Sequence, residues 1–289
     1  MKTFIIISLV VLILASAGGG AYYYYTEFYL PKEYARQVLP LYDKFRGREF
    51  TSDAGIKDAA DVEGSLRLIE ARRTAGRDIQ DALSKIKPPK KTAKIHDDFS
   101  GLMRRAFEAN GHAESLLRFF QKAAELRVAL KVAREPPSEA VNIRPETATI
   151  SILQRQWQEP MAKSVALGNE LFGGAVPDLG DATLGELKSS WATVGPDIEF
   201  VRGLIMSFRP TILLSQIEGA ISKTDGARAE KTFKEVEDFE KKLGAVVAKM
   251  NARDIASGRY YTGASQAEMS DLYFRVSTAM ENMKKGYGL

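Results

Sequence analysis

Apolar side chains recur along this chain at alternating steps of four and three residues, the spacing that lines one face of an α-helix. The longest such run is Ile95, Phe99, Leu102, Ala106, Ala109, Ala113, Leu116, Phe120, Ala123 and Leu130, broken once, at Arg127. It predicts one helix from about Thr92 to Ala133, beginning after Pro88-Pro89. Before it, Val62, Leu66, Ile69, Ile79, Leu83 and Ile86 mark a helix over about 56–86, interrupted by Arg72, Arg73 and Gly76. A shorter helix is expected over about 32–47. Later stripes follow Ile150, Leu153, Trp157, Met161 and Val165, then Phe233, Val236, Leu243, Val247 and Met250, then Met269, Leu272, Val276, Ala279 and Met283. No run alternates apolar and polar residues between hairpin turns, so a sheet is not expected.

Breaks are expected where proline and glycine cluster. Arg134 to Glu139 ends the long helix, and Gly173-Gly174 with Pro177 to Gly180 makes a second loop. Pro160 should bend its helix, and Gly195-Pro196 and Arg209-Pro210 should kink or divide the segment 183–222. Thr183 to Glu186 and Ser265 to Glu268 have the spacing of capping boxes. The expected fold is all-α: an N-terminal membrane-spanning or signal helix, then a bundle of long amphipathic helices, the later ones kinked at prolines. Its parts are residues 1–25, an N-terminal long-helix unit over 26–134 and a C-terminal helical unit over 145–289, packed on the first.

The N-terminus departs from this amphipathic pattern. Residues 3–26 carry no charged side chain, and Phe4 to Leu14 is almost continuously apolar. One reading is a cleaved signal peptide, with Lys2 before the apolar stretch and Ala15-Ser16-Ala17 as the cleavage site. The other is a retained anchor: residues 4–25 as a helix span ~33 Å, enough for a ~30 Å hydrocarbon core. Tyr22, Tyr23, Tyr24, Tyr25, Phe28 and Tyr29 would then form an interfacial aromatic belt. The expected location is the cytoplasmic membrane, single-pass, with the bulk of the chain extracytoplasmic; after cleavage it would be secreted or periplasmic.

Composition narrows the chemistry. The chain has 289 residues, 45% hydrophobic and 27% charged, so it is not disordered throughout. It has no cysteine, which removes disulfides, thiolate metal sites, iron–sulfur clusters and cysteine nucleophiles. A net charge of +4 and a pI of about 9.0 do not point to nucleic acid. Glu108 and His112 share a helix face, but a zinc site needs at least three protein ligands. His96 and His112, 16 residues apart, diverge by about 160° on an ideal helix and cannot converge. Asp97-Asp98 beside His96 complement a helix N-terminus. Ser84-Lys-Ile-Lys87 has a Ser-x-x-Lys spacing without its companion motifs, and Gly263-Ala-Ser-Gln-Ala267 lacks the second glycine of a nucleophile elbow. No phosphate loop, dinucleotide fingerprint or metalloprotease motif is present. No catalytic, cofactor-binding or metal-binding residue is assigned.

Two surface features remain. Lys85, Lys87, Lys90, Lys91 and Lys94 surround Pro88-Pro89 with no acid among them, and Arg259 to Gly263 carries two adjacent tyrosines. If the first helix leaves the membrane, the second returns the lysines toward it, where each is worth ~1 kcal/mol against anionic lipid. The expected function is a membrane-tethered, non-enzymatic binding or structural module of the cell envelope, whose partner is an envelope protein or anionic polymer. The alternatives are a bundle holding a small apolar molecule, and an enzyme with a site that spacing does not reveal.

Overall fold

The helices found follow the predicted stripes closely. The computed structural model describes residues 19–47, 56–58, 60–134, 148–177, 182–258 and 264–289, and among them every regular element is helical. A π-helical turn, Tyr25–Tyr29, leads into α1 (Leu30–Arg46). Then come α2 (Val62–Ser84), a 3-10 turn (Lys90–Thr92) and α3 (Ala93–Arg134). After these stand α4 (Ser151–Phe172), α5 (Thr183–Ser207), α6 (Leu214–Ala220), α7 (Lys223–Ala248), α8 (Ala252–Ala256) and α9 (Ala264–Tyr287). The apolar run 4–14 lies outside the described residues. Among the described residues no helix is long and apolar enough to cross a membrane.

The chain forms two compact units, divided otherwise than at residues 134–145. The first takes α1, α2, α3 as far as Ala113, and the chain from Ala256, which includes α9. The second takes α3 from Glu114, then α4 to α7 and the chain to Ile255. The reason is that α9 carries an apolar stripe and packs against α1, so the last helix completes the first bundle.

In the first unit four helices share one core. Tyr34, Val38 and Tyr42 of α1 meet Ile79 and Leu83 of α2, Phe99, Leu102 and Met103 of α3, and Leu272, Val276 and Met280 of α9. The residues that interrupt the stripe of α2 have their own roles. Arg72 is buried and donates to the Ala256 carbonyl. Gly76 admits Phe107: an added Cβ would stand 3.1 Å from its ring.

α9 runs antiparallel to α3 in a constant register. Arg105 pairs with Glu268, Gly101 faces Leu272 and Asp98 meets Arg275 at 3.3 Å, so equal steps back along α3 and forward along α9 stay level.

The second unit is built around aromatic rings. Trp191 (α5) packs on Phe172 (α4) and Phe239 (α7), and Phe172 also meets Phe119 (α3). Its indole N–H donates to Asn169 Oδ1 at 3.0 Å. Short backbone pairing ties the segment before α4 to the one before α6: Ile150 donates to Ile212 and Leu214 to Ala148, both at 2.8 Å. Arg127, the interruption in the long stripe, is exposed and donates to the buried Glu240 at 2.9 Å. A helix steps past one charge because Leu126 fills the core position beside it.

Some expected boundaries shift. α5 runs unbroken through Gly195-Pro196 and ends at Ser207, just before Arg209-Pro210. Pro160 likewise lies inside α4. Gly195 is there for packing, because a Cβ would stand 3.1 Å from the indole of Trp191 one turn earlier. The helix expected to be capped by Thr183 takes Ala182 as its cap residue. α9 starts at Ala264, one residue before the expected cap Ser265.

Candidate functional site

The first unit brings the lysine turn and the aromatic segment to one end. Ile86 anchors the turn from one side by packing on the core, and Thr92, itself buried, anchors it from the other. The Thr92 N–H and hydroxyl both reach the Pro89 carbonyl, at 2.9 and 3.2 Å. Between and beside these anchors Lys85, Lys87, Lys90, Lys91 and Lys94 are all exposed.

Lys91 differs from the other four. Its ammonium donates to the Glu27 carboxylate at 3.0 Å and to the Glu27 carbonyl at 3.4 Å. It also stands 5.8 Å from the ring centre of Phe28. The Glu27 hydrogen bond holds Lys91 above the usual lysine range. Sequence spacing could not have found this pair, because 64 residues separate its members.

The aromatic side chains beside it are exposed: Tyr22, Tyr23, Tyr24, Tyr25, Phe28 and Tyr29. They stack along their own helix, Tyr24 on Phe28 and Tyr25 on Tyr29, with ring centres 5.8 and 5.4 Å apart. Six neighbouring exposed aromatic rings form an apolar surface of the kind that marks a protein or membrane contact.

The levels along this end are ordered. Glu27 lies level with Lys91, and Tyr34 with His96 (ring centres 6.0 Å apart), so the N-terminal helix and α3 run the same way. Tyr22 to Tyr25 precede Glu27 by two to five residues, about 3–8 Å farther out at ~1.5 Å per residue. Moving outward along the N-terminal helix, the level of Lys91 comes first and Tyr25 to Tyr22 next, while Phe28 and Tyr29 lie just inside that level. In sequence, the apolar run 4–14 comes before both.

No group of three or more His, Asp or Glu among the described residues has metal-site geometry. Ser84 donates its hydroxyl to the Asp81 carbonyl at 2.9 Å, as residues at a helix end do. His96 is half-buried against Tyr34, and burial pushes it below the ordinary value of 6.5, with Asp97 opposing. A depressed histidine binds fewer protons folded than unfolded, so stability should fall as pH drops through about 6.5 toward the folded value. A proton NMR titration should place the His96 midpoint below 6.5, and His96→Gln should flatten the stability loss in that window. A midpoint at or above 6.5 would show that His96 is not desolvated.

The second unit holds an open groove of about 520 Å³ between α3 and α4. Val128 and Val132, 64% and 47% exposed, stand in it with Ala124, Ala129 and Pro160. Its polar groups are Glu125, Glu159, Gln156 and Lys163. The tyrosine pair of 259–263 lies outside the described residues.

No family model matches this chain, and no curated protein or solved structure matches it.

Proposed function

We propose that the chain is a membrane-tethered, non-enzymatic helical module of the cell envelope, with the first unit standing end-on at an anionic bilayer. The observation that carries this is the ordering of levels fixed by the Lys91–Glu27 pair. Lysines, then tyrosines, then an apolar run is the succession that headgroups, interface and hydrocarbon require. In this arrangement the apolar run anchors the chain, Tyr22, Tyr23, Tyr24, Tyr25, Phe28 and Tyr29 form the interfacial belt, and the turn lysines face lipid phosphates. A chain cleaved after Ala17 would keep the belt and the lysines and lose the anchor; the intact mass of the mature protein separates the two. The rest of the bundle presents surface outward for an envelope protein or polymer.

The lack of cysteine makes the test clean. Single cysteines at Tyr22, Tyr25, Phe28 and Lys90 of the full chain would carry spin labels in lipid nanodiscs. Accessibility to oxygen and to a water-soluble relaxer reports depth. Depth should decrease from position 22 to 25, with the labels at 28 and 90 shallower than both and in the headgroup layer. Labels at 22 and 25 as water-accessible as one at Lys249 would remove the membrane role.

A further inference from the structure

The last helix ends where the lysine turn lies. The α3–α9 register of the Arg105–Glu268, Gly101–Leu272 and Asp98–Arg275 contacts brings Met280 level with Ala93, where α3 begins, so Lys284 and Lys285 stand about 6–8 Å beyond that start at ~1.5 Å per residue, toward the lysine turn that leads into α3. The helix end is firmly built. Gly288 adopts φ +62°, and the Leu289 N–H returns to the Lys284 carbonyl at 3.1 Å. That is a Schellman stop, which needs the glycine and leaves the helix no further turn. Tyr287 packs against the first unit's core and lies within electrostatic reach of Lys91. Lys284 and Lys285 are exposed, and a helix C-terminus favours cations there. Three acids near the same end are held, Glu27 by Lys91, Glu33 by Arg36 and Asp98 by Arg275, while Asp97 is exposed one turn after Lys94.

We propose that Lys284 and Lys285 join Lys85, Lys87, Lys90 and Lys94 in one composite basic face that binds anionic lipid headgroups, with Lys91 excluded from it by Glu27. The inference rests on the membrane role above and adds to it the end of the chain, more than 180 residues from the turn. Three chain segments then hold one lipid-facing surface. The aromatic segment supplies the belt, the turn supplies four exposed ammonium groups, and α9 supplies two more. Lys91 instead pins the turn to the belt, so that the other lysines stand at headgroup depth.

The test is amine acetylation of the full chain in nanodiscs of phosphatidylcholine, with and without phosphatidylglycerol, read lysine by lysine by mass spectrometry. Adding the anionic lipid should slow Lys90, Lys94, Lys284 and Lys285 about fivefold each, the equivalent of ~1 kcal/mol per lysine at an anionic surface. The effect should vanish near ~1 M salt, where the screening length falls to ~3 Å. Lys91 should react slowly in both lipids, and Lys44, at the far end of α1 beside Asp78, should not respond. Slowing of the turn lysines without Lys284 and Lys285 overturns the composite face and leaves the membrane role standing. Slowing of Lys284 and Lys285 without the turn also overturns it. No slowing anywhere removes both. Equal slowing of Lys44 shows charge attraction without an end-on face, and a lipid response at Lys91 as large as at Lys90 overturns its exclusion.

Discussion

Gly168→Ala should destabilise the second unit by about 3 kcal/mol, the upper end of the usual cost of overpacking a core. The Trp191 ring lies so close against the backbone of α4 that an added Cβ at residue 168 would overlap it. The ring cannot move aside. Phe172 and Phe239 hold it at 6.2 and 5.4 Å between ring centres, and Asn169, the neighbour of Gly168, accepts its N–H. On its other side the ring already lies close to Gly195, where an added Cβ would stand 3.1 Å from it. Trp191→Ala should itself cost ~3–5 kcal/mol, as truncation of a large aromatic core residue does. On that background Gly168→Ala should cost almost nothing, because the methyl enters the space the indole left. Urea unfolding followed by circular dichroism gives all three values. Additive costs would show that Gly168 is not there for the indole, since a shared contact must appear as coupling in the double variant.

Phe99→Ala and Phe120→Ala should each cost ~3–5 kcal/mol. Both residues lie on the stripe of α3, and their relative exposures are 0% and 3%. Phe99 meets Tyr42 and Phe45 edge-on in the first unit, and Phe120 meets Phe119 in the second. Both tryptophans, Trp157 and Trp191, belong to the second unit, so their fluorescence reports on that unit alone. Phe120→Ala should shift the tryptophan-detected midpoint. Phe99→Ala should shift the circular dichroism midpoint, and shift the tryptophan one equally only if the units unfold together. A cost below ~1 kcal/mol at either site would contradict its burial, since surface changes usually stay within ~0.5 kcal/mol.

The helices were legible in the sequence because the period of an amphipathic stripe belongs to one helix and needs no partner to be read. The run from Ile95 to Leu130 located α3, and Pro88-Pro89 located its start, because proline cannot continue the helix before it. The lysine cluster and the tyrosine run were likewise visible as local composition. Their meeting was not. Glu27 and Lys91, Arg105 and Glu268, and Arg127 and Glu240 are separated by 64, 163 and 113 residues. Apolar stripes are interchangeable as partners, so a stripe does not say which other stripe it faces or in which register. For the same reason the sequence divided the chain at a loop, while packing returned α9 to the first bundle and gave the second half of α3 to the other. Residues that looked like defects were decided the same way. Gly76 and Gly168 make room for rings from other helices, Gly195 for the indole one turn back on its own helix, and Arg72 reaches a carbonyl 184 residues away. The sequence determined the elements and, having no cysteine, excluded thiol chemistry. Tertiary structure alone decided which charges, rings and glycines share a surface, because that depends on the packing of helices distant in the chain.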